Sequence, residues 1–347
     1  MSSNPTPETS PAPDQELLVG GQALIEGVMM RAPGAYGIAV RRADGGIALE
    51  RGKVPSLAAR YPAVKLPVLR GIAVLFQSLA IGIRALNFSA AKAVEGIDAA
   101  KGNEGGDGKA PEQDMSSWAI AGSMVMGLGF GILFFLLLPL WLTKLADDLF
   151  RSLGRGPMSS LGFNLFDGVL RGLFFVGYVF VISRFKDIHR VFMYHGAEHK
   201  VVWNHEAKLP LTVANARSMS RLHPRCGTSF LLFVLLVSIL LFAFIPKTAP
   251  FLLKFGGRLL LVPLIAGISY EVLRLTAKKR AAPLFAAMVW PGLMLQKITT
   301  QEPSDDMLEV AIAALEEALR ADGRLAEAPA ALAPPAEVSA AAVGAGA

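Results

Sequence analysis

The sequence predicts a mainly α-helical, polytopic membrane bundle of about four transmembrane helices, with a small β-rich cytoplasmic module near the N-terminus. Three observations lead to this prediction. Hydrophobic residues form 53% of the 347 positions and charged residues only 18%, against roughly 25% charged in an average globular domain. The mean hydropathy is +0.45. Four long apolar stretches interrupt the chain, and its single cysteine excludes an intramolecular disulfide.

The four apolar stretches are the candidate membrane spans, since a transmembrane helix needs about 20 mostly apolar residues. The second stretch contains Asp167 and Arg171. These residues are four apart, so a helix places them on one face, where they can form an ion pair. We therefore expect a structural pair that faces other helices, because a lone charge in lipid is costly. The candidate spans are 118–142, 161–183, 228–245 and 257–273.

The basic residues predict the orientation of the bundle, because Lys and Arg gather in cytoplasmic loops. The segments before the first span, between the second and third, and after the fourth hold 27 of them, against 6 in the two other loops. Both termini and the 184–227 loop are therefore expected on the cytoplasmic side of a bacterial inner membrane. This asymmetry also explains the net charge of +6. No basic motif interleaved with aromatic residues accompanies it, so nucleic acid is not an expected partner.

Composition divides the chain into segments. Apolar residues recur at helical spacing over 66–88, but two arginines within them make a fifth span the less favoured interpretation. The sequence leaves open whether 66–88 and 281–296 enter the bilayer. The predicted order is a disordered tail (1–16), the β-rich module (17–60), an interfacial or re-entrant helical segment (61–100), a linker (101–116), the membrane domain (117–300), a cytoplasmic amphipathic helix (301–323) and a disordered Ala/Pro-rich tail (324–347).

Local patterns predict the elements at both ends of the chain. In the β-rich module, 36–42 and 47–51 are two strands around a Gly-containing turn, and 20–31 supplies another strand. Ser304 can cap the amphipathic helix, and Gly323 can end it. That helix has one apolar stripe, formed by Leu308, Ala311, Ile312, Leu315 and Leu319.

All five histidines lie in the 184–227 loop, together with the one cysteine. The sharpest pattern is His195-Gly-Ala-Glu198-His199, an H-x-x-E-H arrangement that inverts the zincin motif. On a helix the two histidines share one face and suit a single divalent metal such as Zn²⁺. Glu198 falls in the same arc, where it could take a proton from a water that the metal activates.

Several residues could complete the coordination, and the sequence does not choose among them. His223 and Cys226 lie three residues apart just before the third span, and Glu271 lies at the cytoplasmic end of the fourth. His205 and Glu206 fall within the arc of the motif and could serve as outer ligands. The alternative is a group of hydrogen-bonded structural histidines at a membrane surface.

The chain resembles the YqhQ-like family of uncharacterised bacterial membrane proteins over about residues 17–320. The resemblance implies a metal-dependent enzyme in a bacterial membrane. One position departs from it, since Gln301 stands where a basic residue is expected. The resemblance is carried by Gly20-Gly-Gln-Ala-Leu-Ile-Glu-Gly-Val-Met-Met-Arg31, Tyr194-His-Gly-Ala-Glu-His-Lys200, Ser220-Arg-Leu-His-Pro-Arg-Cys-Gly-Thr-Ser-Phe230, Ser269-Tyr-Glu271, and Pro291-Gly-Leu-Met-Leu-Gln with Thr299-Thr-Gln-Glu-Pro.

Two classes of function are expected. The leading one is metal-assisted hydrolysis at the cytoplasmic membrane face, with Glu198 as general base and His195 and His199 as metal ligands. Peptide bonds are suggested as substrate only by analogy with zincins. The alternative is a non-catalytic membrane scaffold or assembly factor whose cytoplasmic loop and final helix bind a protein partner. A transporter is less supported, since no inverted repeat is visible. The sequence leaves homo-oligomerisation open.

Overall fold

A computed structural model describes residues 19–100, 117–224, 226–246, 248–278 and 283–326. Within these residues the chain is mainly α-helical and carries a four-stranded antiparallel sheet near its N-terminal end. Four of the described helices are long and apolar enough to cross a membrane. The predicted fold class is confirmed. The predicted tail 1–16, the linker 101–116 and the tail 324–347 from residue 327 onward lie outside the described residues.

The sheet is an antiparallel meander whose strands pair in chain order. The segment 20–31, predicted as one strand, is instead a hairpin of two strands. The chain turns at Glu26, whose φ of 53° lies in the left-handed region. The carbonyl oxygen of Glu26 then accepts a hydrogen bond from the backbone N–H of Arg41. The strands are β1 (Gly20–Leu24), β2 (Gly27–Arg31), β3 (Ala35–Arg41) and β4 (Ile47–Lys53).

Helices follow the sheet for the rest of the described chain. A π-helical turn, Leu133–Leu137, joins the third helix to the fourth without a break. The helices are α1 (Leu57–Arg60), α2 (Leu69–Ala100), α3 (Ser117–Ile132), α4 (Leu138–Ser152), α5 (Ser160–Ile182), α6 (Lys186–Glu206), α7 (Val213–Arg217), α8 (Gly227–Phe242), α9 (Phe251–Lys278), α10 (Pro283–Thr299) and α11 (Asp305–Ala321).

Helices cover both faces of the sheet. One face packs against α6 and α11, and the other packs against α2. Strands β2 and β3 are therefore buried on both sides, which explains their nearly continuous apolar sequences. The predicted apolar stripe of α11 forms the core on one face, where Leu315 is fully buried. This stripe is thus an internal surface and not an exposed docking face.

The structure confirms the predicted first and last turns of α11. The helix begins directly after Ser304, although that side chain makes no capping hydrogen bond. Gly323 has a φ of 75° just beyond the last helical residue, a conformation that glycine adopts without steric cost.

The membrane domain differs in detail from the predicted spans. The span expected at 228–245 is a shorter helix, because α8 ends at Phe242. It packs within the bundle against α5, α9 and α10. The described segments with the length and composition of a span are Leu69–Ala93, Val125–Ser152, Ser160–Ile182 and Phe251–Thr276.

The first of these segments, within α2, also contacts the sheet. Gln77 and Ser78 accept hydrogen bonds from the guanidinium of Arg31 in β2. Ala85 is buried in the core on that face of the sheet. The start of α2 lies against α9, where Gly71 approaches the α9 backbone. Helix α2 therefore has the length and composition of a span and also packs along the sheet. The expectation that 66–88 is interfacial stays a prediction, and the continuous helix shows no re-entrant break.

The two arginines that disfavoured a span over 66–88 both have acidic partners. Arg70 pairs with Glu271 of α9, and Arg84 pairs with Glu50 of β4 at 2.7 Å. Both arginines therefore form ion pairs that join α2 to α9 and to β4.

The ion pair predicted inside the second span is present. Arg171 Nη2 donates to Asp167 Oδ2 over 2.8 Å. A third charged residue joins the pair, because Arg258 Nη1 of α9 lies 3.0 Å from Asp167 Oδ1. The sequence does not predict this partner, because Arg258 stands at the edge of the fourth predicted span and no local spacing relates it to Asp167.

Candidate metal centre

Helix α6 carries the H-x-x-E-H motif into the protein interior. The ring centroids of His195 and His199 lie 4.5 Å apart, so the two imidazoles share a helix face as predicted. Glu198 and His199 are buried, whereas the His195 side chain keeps 16% of its surface exposed. Solvent therefore reaches part of the His195 side chain, whereas Glu198 and His199 lie in the interior.

His195 contacts two other segments of the chain. Its Nδ1 lies 2.8 Å from the carbonyl oxygen of Thr299, and its Nε2 lies 3.1 Å from Sγ of Cys226. A carbonyl oxygen only accepts hydrogen bonds, so in the neutral ring Nδ1 carries the proton and Nε2 presents a lone pair. Histidines that bind metals are usually oriented in this way, through a hydrogen bond from the outer nitrogen.

His199 is oriented by the same type of contact. Its Nδ1 lies 2.6 Å from the carbonyl oxygen of Arg221, so its Nε2 also presents a lone pair. This buried Nε2 has no hydrogen-bond partner among the described residues. An unpaired buried polar atom costs about 1–3 kcal/mol. An inward-facing imidazole nitrogen of this kind is the donor that a metal site requires.

The two imidazoles and the thiol form a set that fits a metal ion. One ligating atom from each of His195, His199 and Cys226 lies within 4.8 Å of the other two. In a tetrahedral zinc site, bonds of about 2.0–2.3 Å place neighbouring ligand atoms roughly 3.3–3.6 Å apart. Imidazole nitrogen and sulfur are also the donors that Zn²⁺ favours. The described residues therefore fit a divalent cation with small side-chain adjustments.

Glu198 lies beside this set and is held in place by the sheet. Its Oε1 accepts the backbone N–H of Gly21 in β1 over 2.8 Å, and its Oε2 lies 4.0 Å from His195 Nε2. Only glycine fits at position 21, since a Cβ there would lie 2.4 Å from the carbonyl oxygen of Met29. The edge strand thus fixes one carboxylate oxygen and leaves the other near the imidazoles.

A cavity of about 120 Å³ opens next to these groups. Glu198, His199 and Cys226 contribute to its wall, and Gly20 and Gly227 border it on other sides. A Cβ at either glycine would meet no atom within 4 Å. The cavity has room for several water molecules and for one small reacting group, but not for a folded substrate.

The segment 299–302 crosses α6 and completes the site. The Gln301 N–H donates to the carbonyl oxygen of Phe192 over 2.8 Å. The carbonyl oxygen of Gln301 lies over Gly196, where a Cβ would be only 2.0 Å away. The glycine inside the motif is therefore required by this crossing, and the crossing brings the Thr299 carbonyl to His195.

His223 also lines the cavity but lies outside the set of three. Its Nε2 is 3.3 Å from Oε1 of Glu206, and its backbone N–H and carbonyl both bind the buried side chain of Gln296. His205 was proposed, with Glu206, as an outer ligand. Burial lowers the pKa of His205, and the positive charge of nearby Arg324 lowers it further.

Glu271 makes its hydrogen bonds with residues at the start of α2. Its Oε1 accepts Arg70 Nε over 2.8 Å and its Oε2 pairs with Arg70 Nη2. The backbone N–H of Val68 also donates to Oε1. Among the residues predicted to complete the coordination, Cys226 has its ligating atom within 4.8 Å of those of both histidines, and the ring of His223 lies 5.8 Å from that of His199.

Sequence reasoning missed the groups that hold the motif in place. These are the carbonyl oxygens of Thr299 and Arg221 and the backbone N–H of Gly21. A backbone group can belong to any residue type, so the sequence does not reveal it directly. Two motifs lie beside these groups, namely Gly20-Gly21 at the start of β1 and Thr299-Thr-Gln-Glu-Pro303.

A polar contact at the far end of β1 also ties the sheet to α6. Both carboxylate oxygens of Glu26 accept hydrogen bonds from Arg190, with Nε 2.6 Å from Oε1. The Tyr194 hydroxyl donates to the same carboxylate over 3.3 Å. Burial, with the nearby charge of Glu26, raises the pKa of Tyr194. These contacts keep β1 against the helix that carries the motif.

Comparisons with known proteins place the chain in a family without a described activity. Residues 66–321 match the profile of the family described as "Protein of unknown function (DUF1385)". The chain is similar to "Uncharacterized protein YqhQ" of Bacillus subtilis (strain 168), with 37% identity over 305 residues. The match covers 87% of this chain and 92% of that protein. No solved structure matches the chain.

Proposed function

Since the chain belongs to the DUF1385 family, whose description assigns no activity, we propose its function from the site: metal-dependent hydrolysis at the cytoplasmic face of a bacterial inner membrane. His195, His199 and Cys226 would hold a divalent cation such as Zn²⁺, and Glu198 would be the general base. One observation carries the proposal. Two imidazoles are oriented through Nδ1 by backbone carbonyls, and a thiol lies within ligand distance of both.

A bound divalent cation would supply Lewis-acid chemistry, polarising a carbonyl or phosphoryl oxygen and acidifying water. The chain supplies orientation and proton transfer. Thr299 and Arg221 hold the two imidazole rings. The N–H of Gly21 holds one oxygen of Glu198, so the other oxygen is available to accept a proton from a water in the cavity. Burial of Glu198 limits competition from bulk water.

The membrane location rests on the apolar helices and on the distribution of basic residues. The four long apolar helices indicate a membrane protein. The basic residues on both sides of α6 favour a cytoplasmic position for the site and for both termini. The lipid bilayer is thus one partner, and the substrate is a small hydrolysable group that enters from the cytoplasm.

The first test is the metal content of the full-length protein purified in detergent and equilibrated with Zn²⁺. We expect about one Zn²⁺ per chain. His199→Gln removes a ligating nitrogen at similar volume, so its affinity for Zn²⁺ should fall by more than about 100-fold, beyond what loss of an outer partner causes. Atomic absorption after dialysis against a buffered zinc series measures this affinity.

The matched control is His189→Gln, which changes an exposed histidine on the same helix. It should keep the wild-type affinity. Equal and near-zero zinc in the wild-type protein and in His199→Gln would contradict the metal site and favour the scaffold alternative.

A second candidate function follows from the contact between His195 and Cys226. A distance of 3.1 Å between Nε2 and Sγ also suits a thiol nucleophile with imidazole as its base, and the Thr299 carbonyl would orient that base. In this case His199 and its unpaired Nε2 have no role in the chemistry.

Alkylation distinguishes the two candidates. If Cys226 binds a metal, Zn²⁺ should slow its reaction with iodoacetamide by at least about tenfold, because the sulfur lone pair is occupied. His199→Gln should remove this protection. A fast reaction that Zn²⁺ leaves unchanged, and that His195→Gln slows, would favour the thiol nucleophile.

A further inference from the structure

A second cluster of buried charges lies inside the membrane domain, away from the histidines. Asp167 and Arg171 belong to α5, Arg258 belongs to α9, and Ser238 of α8 lies 3.5 Å from Arg171. Ser238 follows Cys226 by 12 residues, which is about 18 Å along a helix. The cluster is therefore separate from the candidate metal centre and lies toward the opposite end of the bundle.

The charges of this cluster do not balance. Both guanidiniums remain protonated in proteins, while Asp167 supplies a single negative charge. Arg258 and Asp167 each expose only 2% of their side chains, and Arg171 exposes 10%. The only other carboxylate in α5, α8 and α9 is Glu271, which is paired with Arg70. In α4, which also packs against α5, Asp147 pairs with Arg151 and Asp148 is exposed. Among the described residues one positive charge of the cluster is thus left without a counter-ion in an apolar setting, which is costly.

The hydrogen-bonding capacity of the two arginines is also incompletely used. Each guanidinium donates to the carboxylate of Asp167, and both lie over the ring of Phe242, at 4.9 and 5.0 Å from its centroid. The Nε atoms of Arg171 and Arg258 are buried and have no hydrogen-bond partner among the described residues. Two N–H donors therefore accompany the excess charge.

A line of cations connects the cluster to the end of the bundle. Lys254 precedes Arg258 by one helical turn near the start of α9, and its Nζ lies 5.1 Å from the ring centroid of Phe163. Phe163 itself precedes Asp167 by one turn of α5. The seam between α5 and α9 thus carries basic side chains from the helix ends inward to the cluster.

We propose that Arg171 and Arg258 bind a phosphate-type oxyanion, carried by an anionic lipid headgroup or by free phosphate. A lipid phosphodiester brings one negative charge and two free oxygens, which match the one excess charge and the two Nε donors. Planar guanidiniums recognise such oxygens through paired hydrogen bonds. A zwitterionic lipid fits less well, because its net charge of zero does not offset the excess positive charge of the cluster.

The test measures the unfolding midpoint of the full chain in nanodiscs. Phosphatidylcholine alone is the reference, and two arms add either phosphatidylglycerol to the bilayer or inorganic phosphate to the buffer, against chloride at equal ionic strength. Binding to the folded state should raise the midpoint by roughly 5 °C in at least one arm. The responding arm identifies the source of the oxyanion.

The variant Ser238→Asp supplies the missing charge from the chain itself. It should raise the midpoint in phosphatidylcholine and remove the response to added anion. The control Ser218→Asp, on an exposed site outside the bundle, should respond like the wild-type protein. No rise in either arm, or an equal rise in Ser238→Asp and the wild-type protein, would overturn the proposal.

A second measurement covers the case in which Ser238→Asp does not fold. Native mass spectrometry counts the phosphatidylglycerol molecules that remain on the protein after delipidation. Arg258→Lys keeps the charge but loses the planar fork, so we expect it to retain this lipid several-fold less than the wild-type protein. Equal retention would overturn the lipid form of the proposal.

Discussion

Replacing Glu198 with glutamine is expected to lower hydrolytic turnover by roughly 10²–10⁴-fold, the usual contribution of a general base, while the zinc content stays unchanged. The amide oxygen of glutamine can still accept the N–H of Gly21, so the contact with β1 survives. The oxygen that faces His195 is what changes, because an amide cannot take up a proton near neutral pH. The variant therefore separates proton transfer from structure.

The measurement uses a fluorogenic peptide and a p-nitrophenyl ester as reporters of hydrolysis, with the protein in detergent and loaded with Zn²⁺. Glu309→Gln, at an exposed position of α11, is the matched control and should keep wild-type turnover. Full turnover in Glu198→Gln would contradict its role as base. A loss of zinc or a lower unfolding midpoint in this variant would indicate a structural carboxylate.

Replacing Gly196 with alanine is expected to destabilise the protein by about 3 kcal/mol or more, at the upper end of overpacking costs. The new Cβ would lie 2.0 Å from the carbonyl oxygen of Gln301. The position of a Cβ is fixed by its own backbone, and the carbonyl belongs to the backbone of Gln301, so neither can rotate away. The segment 299–302 would have to lift from α6, and His195 would lose the carbonyl that orients it.

The unfolding midpoint in detergent should fall by roughly 6–12 °C, and the affinity for zinc should fall with it. Gly177→Ala is the matched control, because a Cβ there meets no atom within 4 Å. It should be neutral or slightly stabilising, as alanine is the better helix former. An unchanged midpoint in Gly196→Ala would show that the crossing segment is not packed as described.

The elements with strong periodicity were predictable from the sequence. The apolar stretches, the amphipathic α11 and the hairpin of β3 and β4 follow from local patterns. The turn at Glu26 was not predicted, since a glutamate with positive φ gives no turn signal. The extent of α8 was also wrong, because apolar composition continues past Phe242 whereas the helix ends there.

The candidate site was predictable only where spacing within one helix decides the geometry. The shared face of His195 and His199 follows from a separation of four residues. The choice of Cys226 over Glu271 does not, because it depends on how α8 and α9 pack against their neighbours. The pairing of Glu271 with Arg70 joins residues 201 positions apart, and no local pattern contains such information.

The two ends of the described chain meet at α6, and this has a consequence for biosynthesis. Gly21 belongs to the first strand, whereas Thr299 is the last residue of α10. A ribosome-bound chain that has made α6 and α8 already contains both imidazoles and the thiol, yet it lacks the Thr299 carbonyl that orients the His195 ring. The geometry of the candidate site is therefore completed only when α10 has been made, so a chain shorter than this does not hold the imidazoles in their final orientation.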